Sequence, residues 1–315
     1  MRVVFFGTPE LATTALSGLL ESGMEVPLVI SQPDRPAGRH STALPSAVSR
    51  LASLRKIPVS KPDRLRANAE LLGNLRRAAP DVGVVVSYGR ILPKEILEGP
   101  RLGFVNVHAS LLPKYRGATP IQAALMAGDR ETGVVTMRMV EELDAGPIYL
   151  ARRVEIRQGE DAGSLTMRLA LVGTEILLDT LKGLEAGVLK PQPQEGEPSY
   201  SRPIHRMDAE VDWTLPAERI ERWLRAYTPW PGLHTFLRGQ RIKVLKLDPG
   251  RPVSKEPGTL WQEQDVALVA AGEGTSLILG SVQREGRKAV TGAEFARGLP
   301  QLPMRFDPRS PSPAG

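Results

Sequence analysis

Apolar and polar residues alternate along the first half of the chain in the pattern of buried strands followed by amphipathic helices. Apolar runs predict three strands, at residues 2–6, 26–31 and 82–87. Between these runs, apolar residues repeat at helical spacing, which predicts helices at residues 11–20, 47–54 and 68–79. Because strands that alternate with helices form right-handed βαβ units, the pattern predicts an α/β fold with a mostly parallel sheet.

The first helix has a recognisable start. Thr8 is a residue type that caps helix N-termini, and Pro9 suits the first helical position. Glu10 complements the positive end of the helix dipole. The sequence therefore predicts a helix that begins directly after the first strand, with Thr8 as its N-cap.

The second half of the chain changes character twice. Apolar stretches at 134–140 and 148–156 predict a strand pair that closes the sheet, and residues 164–184 have a long amphipathic helical pattern. A polar, Pro-rich stretch over residues 190–200 lacks periodicity and is typical of a linker. Short strands with Gly-rich turns follow, which predicts a small β-barrel. The predicted division is a domain at 1–189, a linker at 190–207, a barrel domain at 208–306 and a disordered tail at 307–315.

Composition narrows the class of protein. The 315 residues include no Cys, and the four His residues, at 40, 108, 205 and 234, have no metal-ligand spacing, so we expect no metal site. There is no phosphate-binding P-loop and no G-x-G-x-x-G, so the sequence offers no support for NAD. It has no signal-peptide pattern and no apolar run of membrane-spanning length, so we expect a cytoplasmic protein without a membrane partner.

The net charge of +6 is concentrated in one segment. Residues 35–77 contain ten Lys or Arg and two acidic residues, a balance of +8. A basic segment of this kind fits either a polyanionic partner or a solvated surface, and charge alone leaves both interpretations open.

Three polar residues have the chemistry of an acyl-transfer site. Asn106 and His108 lie two apart at the end of an apolar run, so in a strand both side chains point to the same face. Asp144 lies in a turn just before Gly146. Amide and imidazole groups can donate hydrogen bonds to an oxyanion, and a carboxylate can accept a proton. Without Cys or a G-x-S-x-G motif, direct transfer between two bound substrates is favoured over a covalent intermediate, although all three residues also suit ordinary strand ends and turns.

The sequence around these residues resembles that of the 10-formyltetrahydrofolate-dependent formyltransferases. The resemblance rests first on Asn-Val-His-Ala-Ser-Leu-Leu-Pro-Lys-Tyr-Arg-Gly at 106–117 and Leu-Asp-Ala-Gly at 143–146. It extends through the segments at 6–10, 32–39, 87–93, 212–213 and 225–231. The family's fold, a Rossmann-like formyltransferase domain joined to an OB-like barrel, agrees with the fold that the pattern predicts.

The resemblance implies roles for individual residues. Asn106, His108 and Asp144 match the family's catalytic residues. The residues that match its folate-binding segments are Ser110, Leu111, Leu112, Pro113, Tyr88, Arg90 and Leu92. Arg35 and Arg39 match the loop that grips the acceptor end of tRNA. His40, Ser41 and Thr42 depart from that loop's basic pattern, which leaves the strength of this grip open.

Within the family, the resemblance implies transfer of the formyl group to the amino group of methionine on initiator tRNA, for the initiation of translation. We expect a monomer, although the sequence itself leaves the oligomeric state open. A glycinamide ribonucleotide formyltransferase would need only about 200 residues. A sugar-nucleotide N-formyltransferase that uses the same folate donor is the nearest alternative. A non-catalytic RNA-binding protein is an alternative from a different class, and the presence of all three candidate catalytic residues argues against it.

Overall fold

The computed structural model describes residues 1–36 and 43–309. Its contacts divide the chain into two compact units. The first contains residues 1–120, 130–156 and 165–202, and the second contains 121–129, 157–164 and the chain from Pro203 onward. The domain limits stated from the sequence stay predictions. No helix in the described ranges is long and apolar enough to cross a membrane.

The helices of the described chain vary widely in length. They are α1 Glu10–Glu21, α2 Ala47–Leu54, α3 Ala69–Ala78, α4 Lys94–Leu97, α5 Pro120–Ala127, α6 Ala162–Glu185, α7 Ala217–Ala226 and α8 Gly292–Arg297, with a 3-10 helix at Arg206–Ala209. Helix α2 has Ser46 as its N-cap, and the Ser46 hydroxyl accepts the Ser49 N–H at 3.0 Å. The predicted helices at 47–54 and 164–184 are confirmed, the second with two extra residues at its start and one at its end.

The prediction that Thr8 caps α1 is wrong. The helix begins at Glu10, and Pro9 occupies the N-cap position without a side-chain hydrogen bond. The Thr8 hydroxyl lies 3.5 Å from the Tyr88 carbonyl oxygen, and it accepts the Gln32 N–H at 3.4 Å. Thr8 therefore contacts the loop that follows the neighbouring strand instead of capping the helix.

The first unit is built on a mostly parallel sheet. The described strands of the first unit are β1 Arg2–Gly7, β2 Glu25–Ile30, β3 Arg35–Pro36, β4 Ala43–Leu44, β5 Val59–Ser60, β6 Val82–Val86, β7 Phe104–His108, β8 Arg116–Gly117, β9 Glu131–Arg138, β10 Ile148–Glu155 and β11 Tyr200–Ser201. Over the described residues, the main sheet has the order β10-β9-β7-β6-β1-β2-β5. In this sheet, the neighbouring strands β7, β6, β1, β2 and β5 run parallel to one another. Strands β9 and β10 extend the sheet beyond β7, and each is antiparallel to its neighbour. The predicted α/β class is confirmed, and so is the strand pair that closes the sheet.

Both faces of this sheet are covered, because successive residues of a strand point to opposite faces. In β1, Val3 and Phe5 pack into one apolar cluster, while Val4 and Phe6 pack into another. All four side chains are fully buried. A sheet buried on both sides leaves the ends of its strands as the accessible edges, which is where ligands bind in folds of this kind.

The second unit contains an antiparallel barrel, as predicted. Its strands are β12 His234–Leu237, β13 Gln240–Pro249, β14 Thr259–Glu263, β15 Val266–Ala270, β16 Ser276–Arg284, β17 Ala289–Thr291 and β18 Met304–Arg305. They pair in the order β12-β13-β16-β15-β14-β18, with β17 beside β16. The Asp307 N–H donates to the Phe236 carbonyl at 2.8 Å, which brings the two outer strands together and nearly closes the barrel.

Residues 307–309, where the predicted tail begins, make contacts in the second unit. The Asp307 carboxylate accepts the backbone N–H groups of Arg238 and Gly239 at 3.0 and 2.7 Å. The Arg309 guanidinium lies 5.3 Å from the centre of the Trp223 ring. Residues 310–315 lie outside the described residues.

Candidate active site

Strand β7 and the turn after β9 bring three candidate catalytic residues together. Asn106 and His108 lie at the carboxyl end of β7, on the same side of the strand, and Asp144 lies in the connection between β9 and β10. Asn106 and His108 are 8% and 6% exposed. Strand β9 runs antiparallel to β7 and ends opposite Val105, so the connection that follows β9 passes beside β7, where Asp144 meets Asn106 from 38 positions away.

The Asp144 carboxylate is the centre of this cluster. Its Oδ2 atom accepts the Gly117 N–H at 2.8 Å. Asn106 Nδ2 faces Oδ1 at 3.5 Å, and His108 Nδ1 faces Oδ2 at 3.6 Å. The last two distances lie at or beyond the limit of a hydrogen bond. The amide and the imidazole therefore face the carboxylate without being tied to it, and both are available to a substrate.

The other ring nitrogen of His108 is engaged. His108 Nε2 lies 3.1 Å from the Tyr115 carbonyl oxygen. A carbonyl only accepts hydrogen bonds, so Nε2 carries a proton and Nδ1 is the ring atom that faces the carboxylate. The Tyr115 carbonyl thereby fixes both the ring orientation and the position of one proton.

Backbone geometry holds the Asp144 turn in place. Asp144 has a φ of 46°, in the left-handed region that non-glycine residues rarely adopt. Two residues on, a Cβ atom at Gly146 would overlap the Arg138 carbonyl oxygen. The turn therefore requires glycine at position 146. The left-handed conformation of Asp144 costs about 1–3 kcal/mol of backbone strain.

Part of the predicted linker lies against this turn. Gln194 Nε2 donates to the carbonyl oxygens of Asp144 and Gly146, at 2.7 and 2.8 Å. Strand β11 pairs in parallel with β8, and a Cβ atom at Gly117 would overlap the Ser201 carbonyl oxygen. The chain through residue 202 is grouped with the first unit, so the Pro-rich stretch contributes to the surroundings of the site.

The predicted folate residues that follow β7 lie beside the cluster. Ser110 is fully buried, and its hydroxyl donates to the Lys114 carbonyl at 2.6 Å. Leu112 packs with Val135 and Met137, while Leu111 is only half-buried, as is Pro113. Of this segment, the apolar Leu111 and Pro113 side chains are those that remain accessible to a flat ligand.

The predicted folate residues after β6 behave differently. Tyr88 and Leu92 are each 1% exposed and belong to the apolar cluster around Phe6. Burial raises the pKa of the Tyr88 phenol, and its hydroxyl has no hydrogen-bond partner among the described residues. The Arg90 guanidinium donates to the carbonyls of Pro62 and Asp63 at 3.1 and 2.9 Å. Contact with folate through this loop stays a prediction that suits its backbone groups better than the Tyr88 and Leu92 side chains.

The predicted tRNA-binding residues fall at the edge of what is described. Arg39 and the departure at His40, Ser41 and Thr42 lie outside the described residues, and for Arg35 only the backbone is described, in β3. Nearby, Lys61 Nζ pairs with the Asp34 carboxylate at 2.7 Å. The role of this loop therefore stays a prediction.

A metal site and a separate cavity are the other features to consider. Within residues 1–36 and 43–309, no group of three His, Asp or Glu side chains is placed to hold a metal ion. A cavity of about 540 Å³ lies along β2, β5 and α3, and its walls include none of the candidate catalytic or folate residues. Neither feature changes the location of the candidate site.

Sequence reasoning missed several residues that shape this site. Tyr115, Arg116 and Gly117 belong to the motif at 106–117, so their position in it was a signal that they lie near the site. Gln194 lies in a stretch without periodicity and 50 residues from Asp144. Nothing in the local pattern marks it, because its role depends on a long-range contact with two backbone carbonyls.

Comparison with known proteins places the chain in a family. The family described as "Formyl transferase" matches residues 1–181, and "Formyl transferase, C-terminal domain" matches residues 203–300. A methionyl-tRNA formyltransferase of Thermus thermophilus is 46% identical over 303 residues, covering 96% of this chain and 98% of that protein. One of Myxococcus xanthus is 46% identical over 299 residues, covering 94% and 95%.

A solved structure has the same fold at lower sequence identity. HypX from Aquifex aeolicus, in complex with tetrahydrofolic acid, matches with a TM-score of 0.63 and 19% identity, covering 97% of this chain and 50% of that one. This likeness agrees with the α/β unit and the barrel described above. The family matches along both parts of the chain and the 46% identity of full-length relatives establish that the chain belongs to the methionyl-tRNA formyltransferase family.

Proposed function

We propose that this protein transfers the formyl group of 10-formyltetrahydrofolate to the α-amino group of methionine on initiator tRNA. The observation that carries the proposal is the convergence of Asn106, His108 and Asp144 at the carboxyl end of β7, in a chain of this family. The full-length relatives at 46% identity favour methionyl-tRNA over a sugar nucleotide as the acceptor.

The proposed reaction is a direct transfer. The methionine amine attacks the formyl carbon, so that a new carbon–nitrogen bond forms and the bond from that carbon to N10 of the folate breaks. The amine loses one proton and N10 gains one, which releases tetrahydrofolate and formylated methionyl-tRNA. Between these states, the formyl oxygen carries a negative charge in a tetrahedral intermediate.

Each candidate residue has a part in this reaction. Asn106 Nδ2, whose contact with Asp144 is long, turns to donate to the oxyanion. His108 donates from Nδ1 when that atom also carries a proton, while Tyr115 holds Nε2. Asp144 accepts the proton of the attacking amine, directly or through water. Its bond from Gly117 keeps the carboxylate facing both donors.

The two substrates suit different parts of the chain. Half-buried Leu111 and Pro113, which follow β7 directly, offer apolar surface for the pterin. The tetrahydrofolic acid bound to HypX, a protein of the same fold, supports a folate donor. The net charge of +6, concentrated in the segment 35–77, supports a nucleic-acid acceptor.

The proposal is tested by formylation assays with purified protein. The acceptors are methionylated initiator tRNA, methionylated elongator tRNA, free methionine and an amino-sugar nucleotide, each with 10-formyltetrahydrofolate. We expect turnover with the initiator tRNA far above that with the others. Preferred turnover of the sugar nucleotide, or none with any acceptor, would contradict the proposal.

Variants then test the three residues. Asn106→Ala, His108→Ala and Asp144→Asn are each expected to lower kcat by about 10²–10³-fold, the usual cost of removing a positioned donor or base. His205→Asn, an exposed histidine in the second unit, is the control and should retain wild-type kcat. Any of the three that retains more than about a third of wild-type turnover has no part in this mechanism.

A further inference from the structure

We propose that Gln194, in the Pro-rich stretch after α6, is a positioning residue that holds the Asp144 turn in its reactive geometry. This inference rests on the proposed function, because it assigns Gln194 an effect on catalysis that acts through Asp144. Gln194 itself contacts backbone carbonyls and a guanidinium, and not the reacting groups.

The hydrogen bonds of Gln194 fix its amide in one orientation. Nε2 donates to the carbonyl oxygens of Asp144 and Gly146 at 2.7 and 2.8 Å. Oε1 accepts from Arg116 Nε at 3.2 Å and from Nη2 at 2.9 Å. Carbonyls only accept and a guanidinium only donates, so a flipped amide would lose every one of these bonds. Both ends of the amide are therefore fully used.

These bonds oppose the strain at Asp144. With φ at 46°, the Asp144 backbone is strained, so relaxation to an ordinary conformation would lower the free energy of the turn. That relaxation would move the Asp144 carboxylate away from Asn106 and His108. Two hydrogen bonds to the carbonyls on either side of Ala145 prevent this rotation. The Asp144 carboxylate then stays within reach of the Gly117 N–H and the His108 ring.

Gln194 is itself held from both sides along the chain. Before it, Gln192 and Ile148 exchange two backbone hydrogen bonds at 2.7 and 2.8 Å. After it, the Ser199 carbonyl accepts the Arg116 N–H at 2.8 Å, and the Ser199 hydroxyl accepts the Tyr115 N–H at 2.9 Å. Arg116 is 9% exposed, and its Nη1 atom also lies 3.4 Å from Glu142. The stretch around Gln194 is therefore fixed to the site by hydrogen bonds on both sides, unlike a flexible linker.

The test uses two variants at position 194 and one matched control. Gln194→Glu has the same shape and still pairs with Arg116, but it faces two carbonyl oxygens with an oxygen in place of the donor. Gln194→Ala removes all four bonds. Gln192→Ala is the control, because the Gln192 side chain is exposed and its two backbone bonds to Ile148 remain.

We expect both Gln194 variants to lower kcat about 10–100-fold, since small misplacements of a reacting group have effects of this size. The KM values for methionyl-tRNA and folate should stay within about twofold, because no substrate contact is lost. Gln192→Ala should retain wild-type kcat. Wild-type kcat in Gln194→Glu and Gln194→Ala, or an effect on KM alone, would overturn the proposal.

A double-mutant cycle separates positioning from general damage. If Gln194 acts through the Asp144 carboxylate, Gln194→Glu should have little further effect on kcat in the Asp144→Asn background. A full additional loss in that background would show that Gln194 acts elsewhere. If Asp144→Asn alone remains active, the proposed function of Asp144 fails, and that outcome is distinct from a failure of the Gln194 proposal.

Hydrogen exchange gives a readout that does not depend on activity. The Gly117 N–H is bonded to the Asp144 carboxylate, while the next amide, Ala118, is bonded to the Ser201 carbonyl at 3.0 Å. In Gln194→Glu, we expect Gly117 to exchange faster and Ala118 to exchange as in the wild type. Equal protection of Gly117 in variant and wild type, or loss of protection at both amides, would assign Gln194 no specific hold on the carboxylate.

Discussion

At the scale of single residues, the Tyr88 hydroxyl is an uncompensated polar group in the core. It has no partner among the described residues, and an unpaired buried polar group costs about 1–3 kcal/mol. We expect Tyr88→Phe to keep or raise the free energy of unfolding, by up to about 1 kcal/mol, measured by urea denaturation. Folate affinity, measured by titration calorimetry, should not change. Weaker folate binding by this variant would instead place the hydroxyl in the folate site.

His234 makes stability depend on pH. Burial, and then the positive charge of Arg241, lower the pKa of His234 below the ordinary value for histidine, about 6.5. The unfolded chain therefore binds a proton at this residue more readily than the folded protein does. As pH falls below about 6.5, unfolding is favoured, and stability returns as pH rises through the same window.

We therefore expect the Tm of the wild type to fall between pH 7.5 and pH 5.5 by more than that of His234→Gln. His205→Asn is the control, since it removes an exposed histidine from the same unit. Parallel curves of Tm against pH for the wild type and His234→Gln would show that His234 does not contribute to the pH dependence of stability.

The sequence predicted residues whose role follows from local spacing. Asn106 and His108 were identified because residues two apart in a strand share a side, and the structure does place them together. Thr8 is a residue type that often caps helices, but its hydroxyl lies near the Tyr88 carbonyl, a partner 80 residues away. Gln194 was missed for a related reason. Long-range hydrogen bonds between a side chain and a backbone leave no periodic trace in a sequence.

At the scale of elements, two glycines of the first unit are expected to respond oppositely to alanine. In β6, a Cβ atom at Gly83 would overlap the Phe104 ring of the neighbouring strand. In α3, a Cβ atom at Gly73 would meet only the end of the Arg77 side chain, at 3.5 Å. The first site has no room for a methyl group, and the second has room.

We expect Gly83→Ala to destabilise the protein by about 1–3 kcal/mol through overpacking. Gly73→Ala should stabilise it by about 0.5–1 kcal/mol, because alanine loses less backbone entropy than glycine in a helix. Denaturant unfolding monitored by circular dichroism measures both. Equal effects of the two substitutions would mean that the contact between β6 and Phe104 does not restrict position 83.

The elements that were predicted well are those with a full pattern of their own. Helix α2 has apolar residues at helical spacing, and its predicted limits at 47–54 are those observed. Strand β5 has only two residues, and α4 only four, so neither is long enough to show a period. Such short elements exist because neighbouring strands and loops complete their hydrogen bonds, and that information is not local.

At the scale of the whole molecule, charge gives the clearest expectation. If the basic segment contacts tRNA phosphates, the logarithm of tRNA affinity should fall linearly with the logarithm of salt concentration, by about 0.7–0.9 per phosphate contact. Folate carries few charges, so its affinity should change little. Filter binding measures the tRNA affinity and calorimetry measures the folate affinity, both at salt concentrations from about 50 to about 200 mM. Equal slopes for the two ligands would make the basic segment an ordinary solvated surface.

The anchored stretch around Gln194 also has a consequence for cutting or joining the chain. By composition it is the natural place to introduce a protease site or a fusion joint, and a break before Gln194 leaves Asn106, His108 and Asp144 on one fragment. That fragment would nevertheless lose the amide that spans the carbonyls of Asp144 and Gly146. A joint placed after Arg202 spares it, because the first unit extends that far. Where the chain can be cut or joined without loss of this amide is therefore set by hydrogen bonding, and not by the flexibility that its prolines and glutamates suggest.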